Sequence, residues 1–379
     1  DLGLSTIKIS LIIPTRERAE TLKYCIETAL NQKIKNYEVL VSDNCSSDNT
    51  RAVVDSFSDF RLRYVKTKKR LTMTENFNFS ISKAKGEYIV IIGDDDGVMP
   101  NGMDKLSDFI TKFPCNLYVW PRHSYVWPTE LDTPKINKLA NKYLLTKKSL
   151  RAELSLILKK GLLLNALMPN TYHSATHRSV FEEIKKNTGK YYQTSIPDEF
   201  MLFTLPVYRE EFIDIGEVIT VNGHSPKSNS GSLFQNKKKY KGSKVEGLKD
   251  FLSENIKYKY HPNIPHLINT EAKILIDTFL CVRDLYPEFY SKYIINYSAM
   301  WSFSWFCFEV NNFIIPVLYS KQLKAKENFN VFIYLLFTTI FYLVGVRSKL
   351  IVFLKRKNSY LTTTPRNVSH FVSYINDKI

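Results

Sequence analysis

The feature that most limits what this chain can fold into is an alternation. Between residues 8 and 113, short apolar runs and amphipathic runs follow one another four times. "KISLIIP" is a β-rich run stopped by Pro14, and "AETLKYCIETALNQ" behind it sets Leu22, Cys25, Ile26 and Ala29 at helical spacing. "YEVLVSDN" reads as a second strand, and "SSDNTRAVVDSF" as a turn whose Ser and Asp can accept the first N–H groups of a helix. "RLRYVK" is a third strand. "TENFNFSISKAKG" follows as a helix, with Phe77, Ile81 and Ala84 on one face and Gly86 as its stop. "EYIVII" is a fourth strand, and "PNGMDKLSDFITKF" repeats Met103, Leu106, Phe109, Ile110 and Phe113 on one helical face. Strands alternating with helices predict an α/β fold with a mostly parallel sheet covered on both faces.

In such sheets ligands bind beyond the carboxyl ends of the strands. The first strand ends in Pro14-Thr15-Arg16, the second in Ser42-Asp43-Asn44, and the fourth in Gly93-Asp94-Asp95-Asp96. Three polar clusters therefore converge on one edge. One carboxylate suffices to cap a helix, whereas three like charges at a strand end repel one another and call for a cation. Mn2+ or Mg2+ takes one or two carboxylates and completes its shell with phosphate oxygens, so a metal-bound diphosphate is the ligand expected. Asp43 is either a turn former or an acceptor for the imide N–H of a uracil ring.

"SLIIPTRER", "VLVSDNCSSDNT", "NFNFSISKAKGEYIVIIGDDDGVMP" and the later "PDEF" resemble family 2 glycosyltransferases of the GT-A fold. The resemblance is strong over about residues 7–115 and looser to about 230. It implies transfer of a sugar from a nucleotide diphosphate donor with inversion at the anomeric carbon. It also implies roles for single residues. Pro14, Thr15 and Arg16 match the loop lining the nucleotide base, Asp43 the acid that binds it, and Asn76 a polar position near the donor. The aspartates match the DxD element, except that Gly93 stands where Asp-x-Asp-Asp has its first acid. Asp95 is then the metal ligand, assisted by Asp96, with Asp94 approaching the ribose; a register one residue later gives the metal to Asp96.

Inverting transfer requires a base for the acceptor hydroxyl. Asp198 in "TSIPDEFMLF" matches the family's base-bearing element, with Glu199 as the rival. As a helix-start carboxylate it has a second, structural reading. His173 and His177 read as structural. "VNGHSPKSNSG" is rich in Gly, Ser and Asn and reads as a loop, in which His224 is either an extra metal or phosphate contact or part of a plain turn.

Charge divides the chain. Its net charge is +16, and residues 1–230 carry 32 Lys+Arg against 27 Asp+Glu, while residues 231–379 carry 21 against 10. This predicts a catalytic domain over 1–230 and a basic, mainly helical region over 231–379. The apolar stretch Val331 to Val346, 16 residues flanked by aromatic and basic side chains, is shorter than a bilayer core requires. It reads as a membrane-surface helix or as a buried or interface helix. The five cysteines show no CxxC and no pairing rhythm, and the opening residues do not read as a secretion signal. A cytoplasmic protein, peripheral on the inner face of the cell membrane, is expected. Its partners would be a UDP-sugar, a glycan acceptor on a polyprenyl diphosphate, and the membrane surface. No nucleic-acid motif is visible, and a homo-oligomer is left open. The other functional classes are a non-catalytic nucleotide-sugar-binding scaffold and a nucleotidyltransferase of similar fold. The latter lacks its Gly- and Lys-rich phosphate loop after Ile13.

Overall fold

A computed structural model of the chain describes residues 8–128, 135–138, 140–162, 167–227, 258–264, 271–297, 299–300, 361–362 and 366–378. The basic run at 236–244 and the apolar run at 331–346 lie outside the described residues. Among the described residues no helix is long and apolar enough to cross a membrane.

The expected alternation is present. Strands β1 (Ile9–Thr15), β2 (Tyr37–Asp43), β3 (Leu62–Lys66) and β4 (Tyr88–Ile91) are mutually parallel. They are separated by helices α1 (Ala19–Leu30), α2 (Thr50–Asp55) and α3 (Met73–Lys83), and α4 (Gly102–Lys112) follows. The later strands are β5 (Gly97–Val98), β6 (Leu117–Val119), β7 (His123–Val126), β8 (Lys135–Lys138), β9 (Thr146–Ser149), β10 (Ser174–His177), β11 (Glu211–Asp214), β12 (Thr220–His224) and β13 (Leu361–Thr362). The main sheet has the order β3-β2-β1-β4-β10-β6-β11-β9, and a second sheet the order β13-β8-β7-β12-β5. The main sheet is mixed, because β10 runs antiparallel to both β4 and β6.

Strand alternation divides the core. Ile12, Leu40, Ile89 and Ile91 pack on one face, where α5 (Leu150–Lys159), α6 (Arg178–Thr188) and α7 (Pro197–Tyr208) join α3. Ile9, Leu11, Ile13, Val39 and Val41 pack on the other, against α1 and α4. Glycines correct two of the sequence readings. Helix α3 opens with a capping box between Thr72 and Glu75 and ends at Lys83 with Ala84 extended, so Gly86 is not its stop. Gly86 is required because a Cβ would lie 2.4 Å from the Ser10 amide nitrogen of β1. The run "VNGHSPKSNSG" is not a loop throughout, since its first four residues belong to β12. Gly223 stands where β12 passes so close to the aspartates that a Cβ would lie 1.8 Å from the Asp95 carbonyl. On α4, Phe113 is exposed and lies outside the buried face.

Besides β13, further described pieces from beyond residue 230 pack on the first 230. Helix α8 (Glu271–Leu285) lies along α7, with the Phe203 and Phe279 rings 5.3 Å apart. After the short α9 (Pro287–Tyr290), the Tyr290 hydroxyl donates to the Phe203 carbonyl at 2.6 Å. Helix α10 (Val368–Lys378) backs the second sheet: Val368, Phe371, Val372 and Ile375 bury Tyr125, Trp127 and Val221.

Candidate active site

The polar clusters do meet at one edge. Thr15 and Asp43 sit side by side at the ends of β1 and β2, and β4 delivers the aspartates next to β1. A tight turn follows, with the Asp96 amide donating to the Gly93 carbonyl at 3.2 Å. Gly93 explains the departure from Asp-x-Asp-Asp. A Cβ there would lie 3.0 Å from Asp95 Oδ1 and 3.1 Å from Asp96 Oδ2, so a side chain would crowd both acids. The aspartates do not cap α4, whose N-cap is Asn101 with no side-chain bond.

All three aspartates are buried, but they are held differently. Asp94 accepts from Thr15 Oγ1 at 2.7 Å and from Arg18 Nη1 at 2.8 Å. Asp96 accepts from the Gly223 amide at 2.7 Å and the Gly93 amide at 2.5 Å, and His173 Nε2 lies 3.1 Å from it. Asp95 Oδ2 accepts from the Ser225 amide at 2.8 Å, and its carbonyl accepts from Trp127 Nε1 at 2.8 Å. Among the described residues no donor reaches Asp95 Oδ1. Burial first, and Asp96 second, push the Asp95 carboxyl well above the usual carboxylate range. Burial works against the Arg18 cation, but Asp94 and Asp95 outweigh it and hold it charged.

Arg18 was not singled out in the sequence, and His173, read there as structural, contacts Asp96. Arg18 also donates to the Lys227 carbonyl at 2.8 Å, joining the β1 loop to the end of the "VNGHSPK" segment. Burial lowers the His173 pKa, against the pull of Asp96. A neutral ring protonated on Nε2 satisfies its surroundings. Nε2–H faces Asp96, and Nδ1 lies 2.8 Å from Thr220 Oγ1, which accepts in turn from Trp120 Nε1 at 2.7 Å. His177 instead caps α6, accepting from the Ser179 amide. His224 is buried, with Nε2 2.8 Å from Ser124 Oγ, and burial lowers its pKa.

The residues expected on the donor side are placed as follows. Asp43 is fully buried, accepting from the Ser46 amide at 2.8 Å and the Tyr64 hydroxyl at 2.6 Å. Pro14 and Arg16 flank Thr15 at partial exposure. Asn76 is buried on α3, one turn before Ser80, whose hydroxyl meets Ser42 at 2.7 Å; no hydrogen-bond partner reaches its Oδ1 among the described residues. Asp198 starts α7 behind Pro197 and is half-buried. No hydrogen-bond partner among the described residues reaches its Oδ1. Burial raises its pKa, opposed by the N–H groups of Asp198 and Glu199 and by Arg122. The loop before α7 is tied to α3, with Thr74 Oγ1 donating to the Thr194 carbonyl at 2.6 Å and Asn78 Nδ2 to the Tyr192 carbonyl at 3.1 Å. Tyr172 lies within electrostatic reach of Asp198, Asp96 and Asp94, so the base candidate and the aspartates act on one side chain.

Residues 10–184 match the sequence model of the family described as Glycosyl transferase family 2. This stretch is a family 2 glycosyltransferase domain. The family 2 domain is 29% identical over 119 residues to Glycosyltransferase GlyG of Streptococcus pneumoniae, covering 31% of this chain and 40% of that protein. It is 32% identical over 102 residues to a GalNAc(5)-diNAcBac-PP-undecaprenol beta-1,3-glucosyltransferase of Campylobacter jejuni, covering 26% and 33%. A third relative is WfgD of Escherichia coli, a UDP-Glc:alpha-D-GlcNAc-diphosphoundecaprenol beta-1,3-glucosyltransferase, 31% identical over 96 residues that cover 25% and 38%. The chain thus matches between 33% and 40% of the length of these relatives. Among solved structures, S. aureus TarS 1-349 in complex with UDP-GlcNAc superposes with a TM-score of 0.51 at 13% identity, over 89% of this chain and 92% of that one. At that identity the likeness shows the shared GT-A fold.

Proposed function

We propose that this protein is an inverting glycosyltransferase. It transfers a sugar from a UDP donor to a glycan carried on a polyprenyl diphosphate, at the inner face of the membrane, in the synthesis of a bacterial surface polysaccharide. The observation that carries the reading is Asp198. Its Oδ1 is buried and without a hydrogen-bond partner among the described residues, and Tyr172 lies within electrostatic reach of both Asp198 and the aspartates. Support for the acceptor comes from the names of two relatives, which carry undecaprenyl diphosphate glycans.

Asp198 accepts the proton of the acceptor hydroxyl as that oxygen bonds to the anomeric carbon. The bond from that carbon to the diphosphate breaks on the opposite side, and its electron pair leaves with the phosphate oxygen. Asp94, held by Thr15 and Arg18, fixes the edge where the donor lies. The donor set fits a divalent ion through one carboxylate: Asp95 Oδ1 takes no donor, whereas both Asp96 oxygens are engaged. Among the described residues no group of three or more His, Cys, Asp or Glu is arranged to hold a metal. Mn2+ or Mg2+ on Asp95, with Asp96 and His224 beside it, would neutralise charge on the departing diphosphate.

The test is nucleoside diphosphate release from a panel of nucleotide sugars, with and without a polyprenyl-diphosphate-linked glycan, in Mn2+, Mg2+ or EDTA. Acceptor-dependent release from a uridine donor, lost in EDTA, is expected. Binding without release would leave a nucleotide-sugar scaffold, and pyrophosphate formed from a nucleoside triphosphate would mean nucleotidyl transfer.

A further inference from the structure

Most arginines in the fold are paired. Arg18 holds Asp94, Arg61 holds Asp59, Arg63 holds Glu38, Arg209 holds Glu183, and Arg283 holds Asp284. Arg122 is different. It is half-buried, yet among the described residues no acceptor lies within hydrogen-bond distance of it and no carboxylate within ion-pair distance. A guanidinium presents five donors in a planar fork matched to phosphate or carboxylate, and that of Arg122 is left open to take such a group.

Its position follows from strand alternation. Arg122 immediately precedes β7. His123 and Tyr125 point towards α10, with ring centres 6.4 and 5.0 Å from that of Phe371. Ser124 points the other way, to His224 Nε2 at 2.8 Å. Arg122 shares the Ser124 side by the same period of two. There its charge is felt by Asp96 and Asp198, and by His173 and His224. It is therefore within electrostatic reach of both the aspartate site and the base candidate.

We propose that Arg122 is a phosphate-binding residue of this site, donating N–H groups to the donor's diphosphate and stabilising the charge that group gains as the sugar leaves. The inference rests on the donor reading above. In the transfer, the acceptor oxygen bonds to the anomeric carbon, its proton passes to Asp198, and the carbon–oxygen bond to the phosphate breaks with its electron pair on that oxygen. Arg122 meets that oxygen's phosphate with a fixed, always-charged fork.

The experiment compares Arg122→Gln and Arg122→Lys with the full-length wild type, by calorimetric titration with UDP and with UMP in Mn2+ and by thermal melting. Loss of a charge-assisted pair predicts UDP binding weaker by about tenfold to a hundredfold in Arg122→Gln. UMP binding should be nearly unchanged, and Arg122→Lys should fall between. Melting should occur at the same temperature or higher, because no internal partner is lost. Turnover in Arg122→Gln should also need a higher pH, since Asp198 loses the cation that favours its ionised form. Unchanged UDP affinity in Arg122→Gln overturns the proposal. So does an equal loss of UDP and UMP with a lower melting temperature, which would make Arg122 structural. If the wild type binds no member of a UDP, GDP, CDP and TDP panel, it is the donor reading that falls.

Discussion

Asp94 and Asp96 at the end of β4 and Asp198 at the start of α7 all lie within electrostatic reach of Tyr172, yet their surroundings differ in kind. Each of the first two has both oxygens engaged, by a hydroxyl and a guanidinium for Asp94 and by backbone amides and an imidazole for Asp96. Asp198 keeps a buried oxygen with no hydrogen-bond partner among the described residues. A saturated carboxylate is a positioning device, because its lone pairs are committed in the resting fold. An unsaturated one carries a desolvation cost that a reacting partner can relieve. Asp95 resembles Asp198, with one oxygen held and one open. The contrast assigns shape to Asp94 and Asp96, and chemistry to Asp198 and Asp95.

The largest effect should come from the unsaturated side. Asp198→Asn removes the proposed proton acceptor but keeps the volume, so turnover should fall by about 10²–10⁴-fold. UDP affinity by calorimetry should stay at the wild-type value. A near-normal rate in Asp198→Asn beside an inactive Glu199→Gln would move the base one residue along α7.

Within the aspartate cluster the same contrast separates two neighbours. Asp95→Asn should abolish the Mn2+-dependent part of UDP binding while leaving the melting temperature unchanged or raised, because a like charge is removed from a buried triplet. Asp96→Asn should destabilise instead, by about 1–3 kcal/mol, since it weakens the bonds that hold β12 and His173 in place. Chemical denaturation read beside UDP titration distinguishes them. If Asp95→Asn binds UDP as well as the wild type in Mn2+, the open oxygen is not a metal ligand.

The same division governs what the sequence revealed. Period-two and helical patterns are local, so β1 to β4, α1, α3 and α4 could be read from them, and with them the converging strand ends. The bonds that saturate the cluster were hidden because they span long stretches of chain. His173 reaches Asp96 from the residue before β10, and the Gly223 amide comes from 127 residues away. Glycine's chemistry also misled. Gly86 and Gly223 suggested a helix stop and a loop, yet both exist to let backbones approach closely. Only the assembled second sheet shows why β12 needs no side chain there. Arg18 had a faint signal in "PTRER", two arginines at the end of a buried strand. Arg122 had none, since a charge between an apolar strand and a short one reads as surface.

The smallest effect concerns stability against pH. Burial raises the Asp198 pKa above its unfolded value of about 3.9, so the folded protein binds this proton more tightly than the unfolded chain does. The contribution is fully present below the unfolded pKa and is lost as pH rises through the folded one. Asn carries no such proton. Asp198→Asn should therefore match the wild type most closely in melting temperature near pH 4 and gain on it as pH rises, levelling off once the wild-type carboxyl is ionised. Asp94→Asn supplies the contrast: it sacrifices bonds from Thr15 and Arg18, so it should melt below the wild type at neutral pH. A difference between Asp198→Asn and the wild type that stays constant from pH 4 to pH 8 would mean that the folded protein does not perturb this carboxyl. Asp198 would then be one more saturated acid, and the contrast between the two kinds of carboxylate would fail.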